Sequence, residues 1–188
     1  QNKMLTSIYS RVTILINKLV IGEIAMHQLT GIVITKEDAP TLEEAQKKAE
    51  QIMDDYLCNH LGEKQGYFDW YSNHNDGRWS DDKDLESVMD LATEKGMNAF
   101  NRLKENNLEE KKRMLKKIKE IMETHTDEEL LNAKDWETSY YFRQFGDNYG
   151  LGSYLYDNEG SSLSDSWWLN EYMKTTDDKW LVLFDCHN

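Results

Sequence analysis

Residues 180–186 read Trp-Leu-Val-Leu-Phe-Asp-Cys, a continuous apolar run closed by one carboxylate and one thiol. A strand with one face in water alternates apolar and polar residues. A run without alternation predicts a strand covered on both faces, in the middle of a sheet. Residues 29–35 (LTGIVIT) have the same character, β-branched and apolar, and predict a second buried strand.

The chain between these two strands sets the fold class. After Pro40, Thr41 stands three residues before Glu44, the spacing of a capping box. The helix it starts carries Ala45, Ala49, Ile52, Met53, Tyr56 and Leu57 on one face, with Gly62 as its stop. Residues 67–72 (YFDWYS) are aromatic and strand-like, and Asn75-Asp76-Gly77 reads as a turn into residues 78–80, which predicts a hairpin.

Helical spacing follows in three segments. Leu85, Val88, Met89, Ala92, Phe100 and Leu103 mark the first, with Gly96 as a weak point. Leu108, Met114, Leu115, Ile118, Ile121 and Met122 mark the second, and Thr126 with Glu129 caps a short third. Residues 138–145 and 151–156 read as short aromatic strands and residues 163–173 as a last helix. The layout is α+β: a mostly antiparallel sheet covered by helices, with a helical insert at about 84–134. Residues 26–188 are expected to form a single domain. Residues 1–25, where Lys3, Arg11 and Lys18 face Glu23 alone, read either as an appended segment or as an amphipathic element packed on the body.

A length of 188 residues suits one domain, and 6 Trp with 10 Tyr separate the chain from disordered acidic tails. The net charge of −13 disfavours direct binding to nucleic acid, whose affinity comes from neutralised phosphates. It suits a protein partner with a basic surface. Cys58 and Cys186 read as reduced thiols in a cytosol. Residues 12–24 come nearest to a membrane span and are interrupted by Asn17, Lys18 and Glu23, so no membrane association is expected.

Four segments are candidates for function. In the expected hairpin Asp69 faces Arg78, and the pair is bracketed by Trp70 and Trp79; the same cluster also reads as a core corner whose ion pair fixes register. Asp185 and His187 share one face of the last strand while Cys186 takes the other, which makes them candidates for an orienting acid and a general base, against a plain solvated strand end. Residues 111–119 (KKRMLKKIK) place Lys112, Lys116 and Lys119 outward, flanked by Glu109, Glu110, Glu120 and Glu123 as on a salt-bridged solvent face. Asp157, Glu159, Asp165, Asp177 and Asp178 sit near turns and are expected to be exposed, available to a basic partner or simply solubilising. Phosphate-binding glycine loops, a nucleophile elbow and metal-ligand spacings are all absent from the sequence, so no cofactor or metal is expected and the chain reads as more a binder than an enzyme.

Phe68-Asp69-Trp70-Tyr71, Gly77-Arg78-Trp79 and Asp185-Cys186-His187 together resemble an uncharacterised family carried by phages, plasmids and bacterial chromosomes. Its pattern is a Y-D-W-Y-x-x-G-G-R-W segment and a C-terminal V-D-C-H. Here Asp76 stands where the family's first glycine does, and the spacer 72–75 is longer. The resemblance implies a mobile-element context, in which small acidic proteins act as inhibitors of host defence, including anti-CRISPR proteins. The expectation is an accessory protein that binds a macromolecular partner through its acidic surface, with a possible homodimer. The alternative is a small hydrolase or ligand-binding domain joining the aromatic hairpin to the Asp-Cys-His strand.

Overall fold

The computed structural model describes residues 27–58, 66–132, 136–147, 153–163 and 166–187. The last strand, β5 (Lys179–His187), is the axis of the sheet. One edge of β5 pairs antiparallel along its whole length with β1 (His27–Thr35), from Thr35 opposite Lys179 to His27 opposite His187. Its other edge is shared. β2 (Trp70–Asn73) pairs antiparallel with residues 184–187, and β3 (Val88–Asp90) with residues 180–182. β4 (Ser153–Tyr156) runs parallel to β1 on its far side. Hydrogen-bonded on both edges and covered on both faces, β5 has no exposed row to spend polar residues on, which is why its sequence does not alternate.

Both faces carry helices. On one, Ile32, Ile34, Val182, Phe184, Cys186 and Tyr154 pack with Ala45, Ala49 and Ile52 of α1 (Leu42–Ile52). On the other, Leu29, Val33, Leu181 and Leu183 pack with Ala99, Phe100 and Leu103 of α2 (Glu94–Thr124). The arrangement is α+β with a mostly antiparallel sheet. The α1 capping box is present: Glu44 N–H donates to Thr41 Oγ1 at 3.2 Å, and Thr41 N–H to Glu44 Oε2 at 3.0 Å. α1 passes into a π-helical turn over Met53–Leu57. The wider turn shifts the helical phase, so Leu57 stays buried while Tyr56, expected on the buried face, is 63% exposed. Gly62 and residues 1–25 lie outside the described residues.

Four expectations are corrected. Residues 78–80 form no strand, so there is no hairpin; β2 finds its partner in β5, and the chain leaves it through a 3-10 turn at His74–Asp76. Within the expected first helix, residues 88–90 are β3, because the open half of the β5 edge offers them a ladder. Thr93 then caps α2, its side chain accepting from Gly96 N–H at 3.1 Å. α2 continues unbroken for 31 residues through the point where two helices were expected, since no Gly or Pro occurs between 97 and 124. Residues 138–145 belong to a helix, α4 (Trp136–Asp147), rather than a strand. Trp136 stacks on Tyr140 one turn later, with ring centroids 4.6 Å apart, and Lys117 of α2 reaches Glu137 at 2.9 Å. These tertiary and i,i+4 contacts override the β preference of the aromatic residues.

α3 (Asp127–Asn132) has the expected Thr126–Glu129 cap, and α5 (Ser166–Tyr172) lies inside the expected last helix. The described helices of the insert therefore lie within 94–132 and 136–147, against the expected 84–134. Among the described residues, no helix is long and apolar enough to cross a membrane.

Candidate functional site

Antiparallel register brings the chemistry together. His27 lies opposite His187, Trp70 opposite His187 on the other side, and Ser72 opposite Asp185. Residues directly opposite share a face, so His27, Trp70, Asp185 and His187 gather at one end of the sheet, on the face that also carries Leu29 and Leu183.

Asp185 is the floor of this cluster and is 2% exposed. Its Oδ1 lies 3.0 Å from His27 Nδ1, and its Oδ2 accepts the Arg78 backbone N–H at 2.7 Å. A buried carboxylate needs such hydrogen-bond partners to offset its lost hydration. The turn bearing Arg78 rests directly on Asp185: a Cβ added at Gly77 would lie 2.4 Å from Asp185 Cβ. Gly77 has an ordinary negative φ of −98°. The glycine is needed here for room, not for backbone conformation.

Above Asp185 the rings form a compact set. Trp70 and His187 stack at 5.2 Å with planes 10° apart, and His27 meets each of them edge-on at 5.5 Å. Trp70 remains 43% exposed. Asp69 is exposed before β2 and lies 3.6 Å from His187 Nδ1, which is buried and has no hydrogen-bond partner among the described residues. The site thus offers a fixed Asp–His pair, a second imidazole, and an accessible indole.

The expected pairings differ in two respects. Arg78 forms no ion pair with Asp69; its side chain is exposed and its backbone N–H binds Asp185. Asp185 orients His27, not His187, and it is buried instead of solvated. His27 was not among the sequence candidates. Trp79 is half-buried and packs against the α2-side core, so it anchors the turn. Cys186 points into the opposite core, where burial pushes its thiol well above the ordinary value and leaves it inert.

The expected acidic surface is thinner than its sequence. Asp157 is buried, its Oδ1 accepting Glu159 N–H at 3.0 Å and Ser161 N–H at 2.8 Å, so it folds a turn. Glu159, Asp177 and Asp178 are exposed. The Asp178 carboxyl is held below its ordinary value by Lys179 at 2.7 Å, with Thr175 assisting. Asp165 lies outside the described residues. The basic run on α2 is a salt-bridged face: Lys112 meets Glu109, Arg113 meets Glu110 and Lys117 meets Glu120.

Among the described residues, no group of three or more His, Cys, Asp or Glu side chains is arranged to hold a metal ion. An open cleft of about 650 Å³ at the start of α2 is lined by Asp84, Thr93, Lys95 and Arg102, among others. Its cations are engaged, Lys95 with Glu86 and Arg102 with Asp82.

The sequence blocks that meet at Asp185 fall within a single family match covering residues 26–188. The chain belongs to the DUF7995 family, a domain of unknown function. No curated protein and no solved structure matches it. In this DUF7995 chain the Gly77-Arg78-Trp79 and Asp185-Cys186-His187 blocks are one structural unit, the first lying on the carboxylate of the second.

Proposed function

We propose that this DUF7995 chain is a small ligand-binding domain with hydrolase-type acid–base capacity, working at the sheet end formed by His27, Asp69, Trp70, Asp185 and His187. The observation that carries the reading is the buried Asp185 carboxylate, fixed by the Arg78 N–H and aimed at His27 Nδ1. A carboxylate accepting from Nδ1–H selects the tautomer whose Nε2 lone pair takes up a proton, and it stabilises the imidazolium that results. The half-open Trp70 beside it supplies the apolar contact that ligand sites need. A panel of small fragments and activated esters, followed through His27 and Trp70 side-chain NMR signals, tests this. Shifts centred on those residues are expected, and a hydrolysed ester should lose about 100-fold or more of its rate in His27→Gln. Shifts confined to the cleft at the start of α2 would refute the reading.

A second reading, an accessory protein of mobile elements that binds a basic partner such as a CRISPR effector, rests on the net charge of −13 and the exposed Glu159, Asp177 and Asp178. It predicts capture of a nucleic-acid-handling protein from host lysate that is released by salt. Capture that is insensitive to salt would exclude charge mimicry.

A further inference from the structure

Resting on the sheet-end site proposed above, we infer that its ligand is a planar aromatic group carrying a single phosphate, of the nucleoside monophosphate class. Three observations converge. Trp70 presents an indole that is 43% exposed, backed by the stacked His187 ring and therefore held in place. An indole of this kind is a platform for a nucleobase, and such stacking is worth about 1–3 kcal/mol per base.

Arg78 is rooted at the same spot, because its own N–H is bonded to Asp185. Its guanidinium is exposed and forms no ion pair with any described residue, whereas Lys95 and Arg102 of the cleft at the start of α2 are paired. A fixed backbone with a free guanidinium is suited to a phosphate, which it grips through two parallel hydrogen bonds.

Charge limits the size of the ligand. Asp69 is exposed at the His187 edge of the site, and the chain carries −13 overall. Each further phosphate would meet that field, so a polynucleotide is disfavoured and one phosphate is accommodated by Arg78.

The test titrates the full chain with the four common nucleoside 5′-monophosphates, the matching nucleosides and inorganic phosphate, by calorimetry and by Trp70 and His27 NMR signals. At least one monophosphate should bind ten-fold or more tightly than both its nucleoside and phosphate. Arg78→Ala should reduce that monophosphate to the affinity of the nucleoside and leave the nucleoside unchanged, while Trp70→Leu should weaken both. Equal binding of nucleoside and monophosphate, or no binding by any of the four, would overturn the ligand class. In that event, fragments that still shift His27 and Trp70 would leave the site reading standing, and their failure to do so would remove both.

Discussion

Replacing Gly77 by Ala tests the contact on which the site is built. The added Cβ would lie 2.4 Å from Asp185 Cβ and 2.9 Å from Asp185 Oδ2. Carbon atoms at rest approach to about 3.5 Å, so something must move by about 1 Å. β5 cannot yield, being paired with β1 along one edge and with β2 and β3 along the other. The turn must therefore lift, and the 2.7 Å bond from Arg78 N–H to the buried carboxylate is lost with it. A hydrogen bond to a charged group is worth about 1.5–3 kcal/mol. The stiffer alanine in the unfolded chain returns about 0.4–1 kcal/mol. The net loss is about 1–2 kcal/mol, which lowers the melting midpoint by roughly 3–6 °C for a chain of this length. Urea and thermal unfolding measure it, with the Arg78 amide resonance reporting the bond. Gly146→Ala is the control of opposite sign: it sits in α4 with nothing within 4 Å of the new Cβ, and should gain about 0.5–1 kcal/mol. Unchanged stability together with an unmoved Arg78 amide in Gly77→Ala would refute the packing of the turn on Asp185.

Asp185→Asn should reverse the His27 tautomer. The Arg78 N–H holds the carbonyl oxygen, so the new amide donates to His27 Nδ1 and the ring proton moves to Nε2; long-range proton–nitrogen correlation reads this, and an unchanged tautomer would dismiss the dyad. Thr41→Ala removes the α1 capping box and should cost about 1 kcal/mol by urea unfolding. Cys58, pushed up to about 12 by burial with Asp54 and Asp69 adding to the effect, and Cys186 should both resist thiol reagents until the protein is unfolded. Because the folded value of Cys58 is raised, its contribution to stability is complete below pH 9 and is lost as pH rises from 9 towards 12, so alkaline titration should lower the midpoint in that window and Cys58→Ala should flatten the loss.

The strands at the centre of the sheet were readable because burial on both faces leaves a signature in composition that no neighbour can disguise. The α1 start was readable because a capping box is a local device needing only Thr41 and Glu44. The misread elements share a different cause. β3 is three residues long and exists only because β5 has a free half-edge, a fact about residues 180–182 that residues 88–90 do not carry. α4 is aromatic enough to read as a strand, and the contacts that make it helical come from α2 and from its own i,i+4 stack.

The site divides along the same line. That Asp185 and His187 share a face follows from strand parity and was legible. The partner of Asp185 was not, because it depends on register. His27 lies two residues before the apolar run at Leu29, and the parity that puts Leu29 in the core also puts His27 on the Asp185 face, provided β1 extends that far. The hairpin reading predicts an ion pair between the Arg78 side chain and Asp69; in the structure the Arg78 backbone N–H binds Asp185, and its guanidinium forms no ion pair with any described residue. Gly77 then has a role fixed by sterics alone, since no side chain fits between that turn and the Asp-Cys-His strand. Asp76, one residue before that contact, is exposed. A side chain is therefore tolerated immediately before the contact, while the residue that touches Asp185 is glycine.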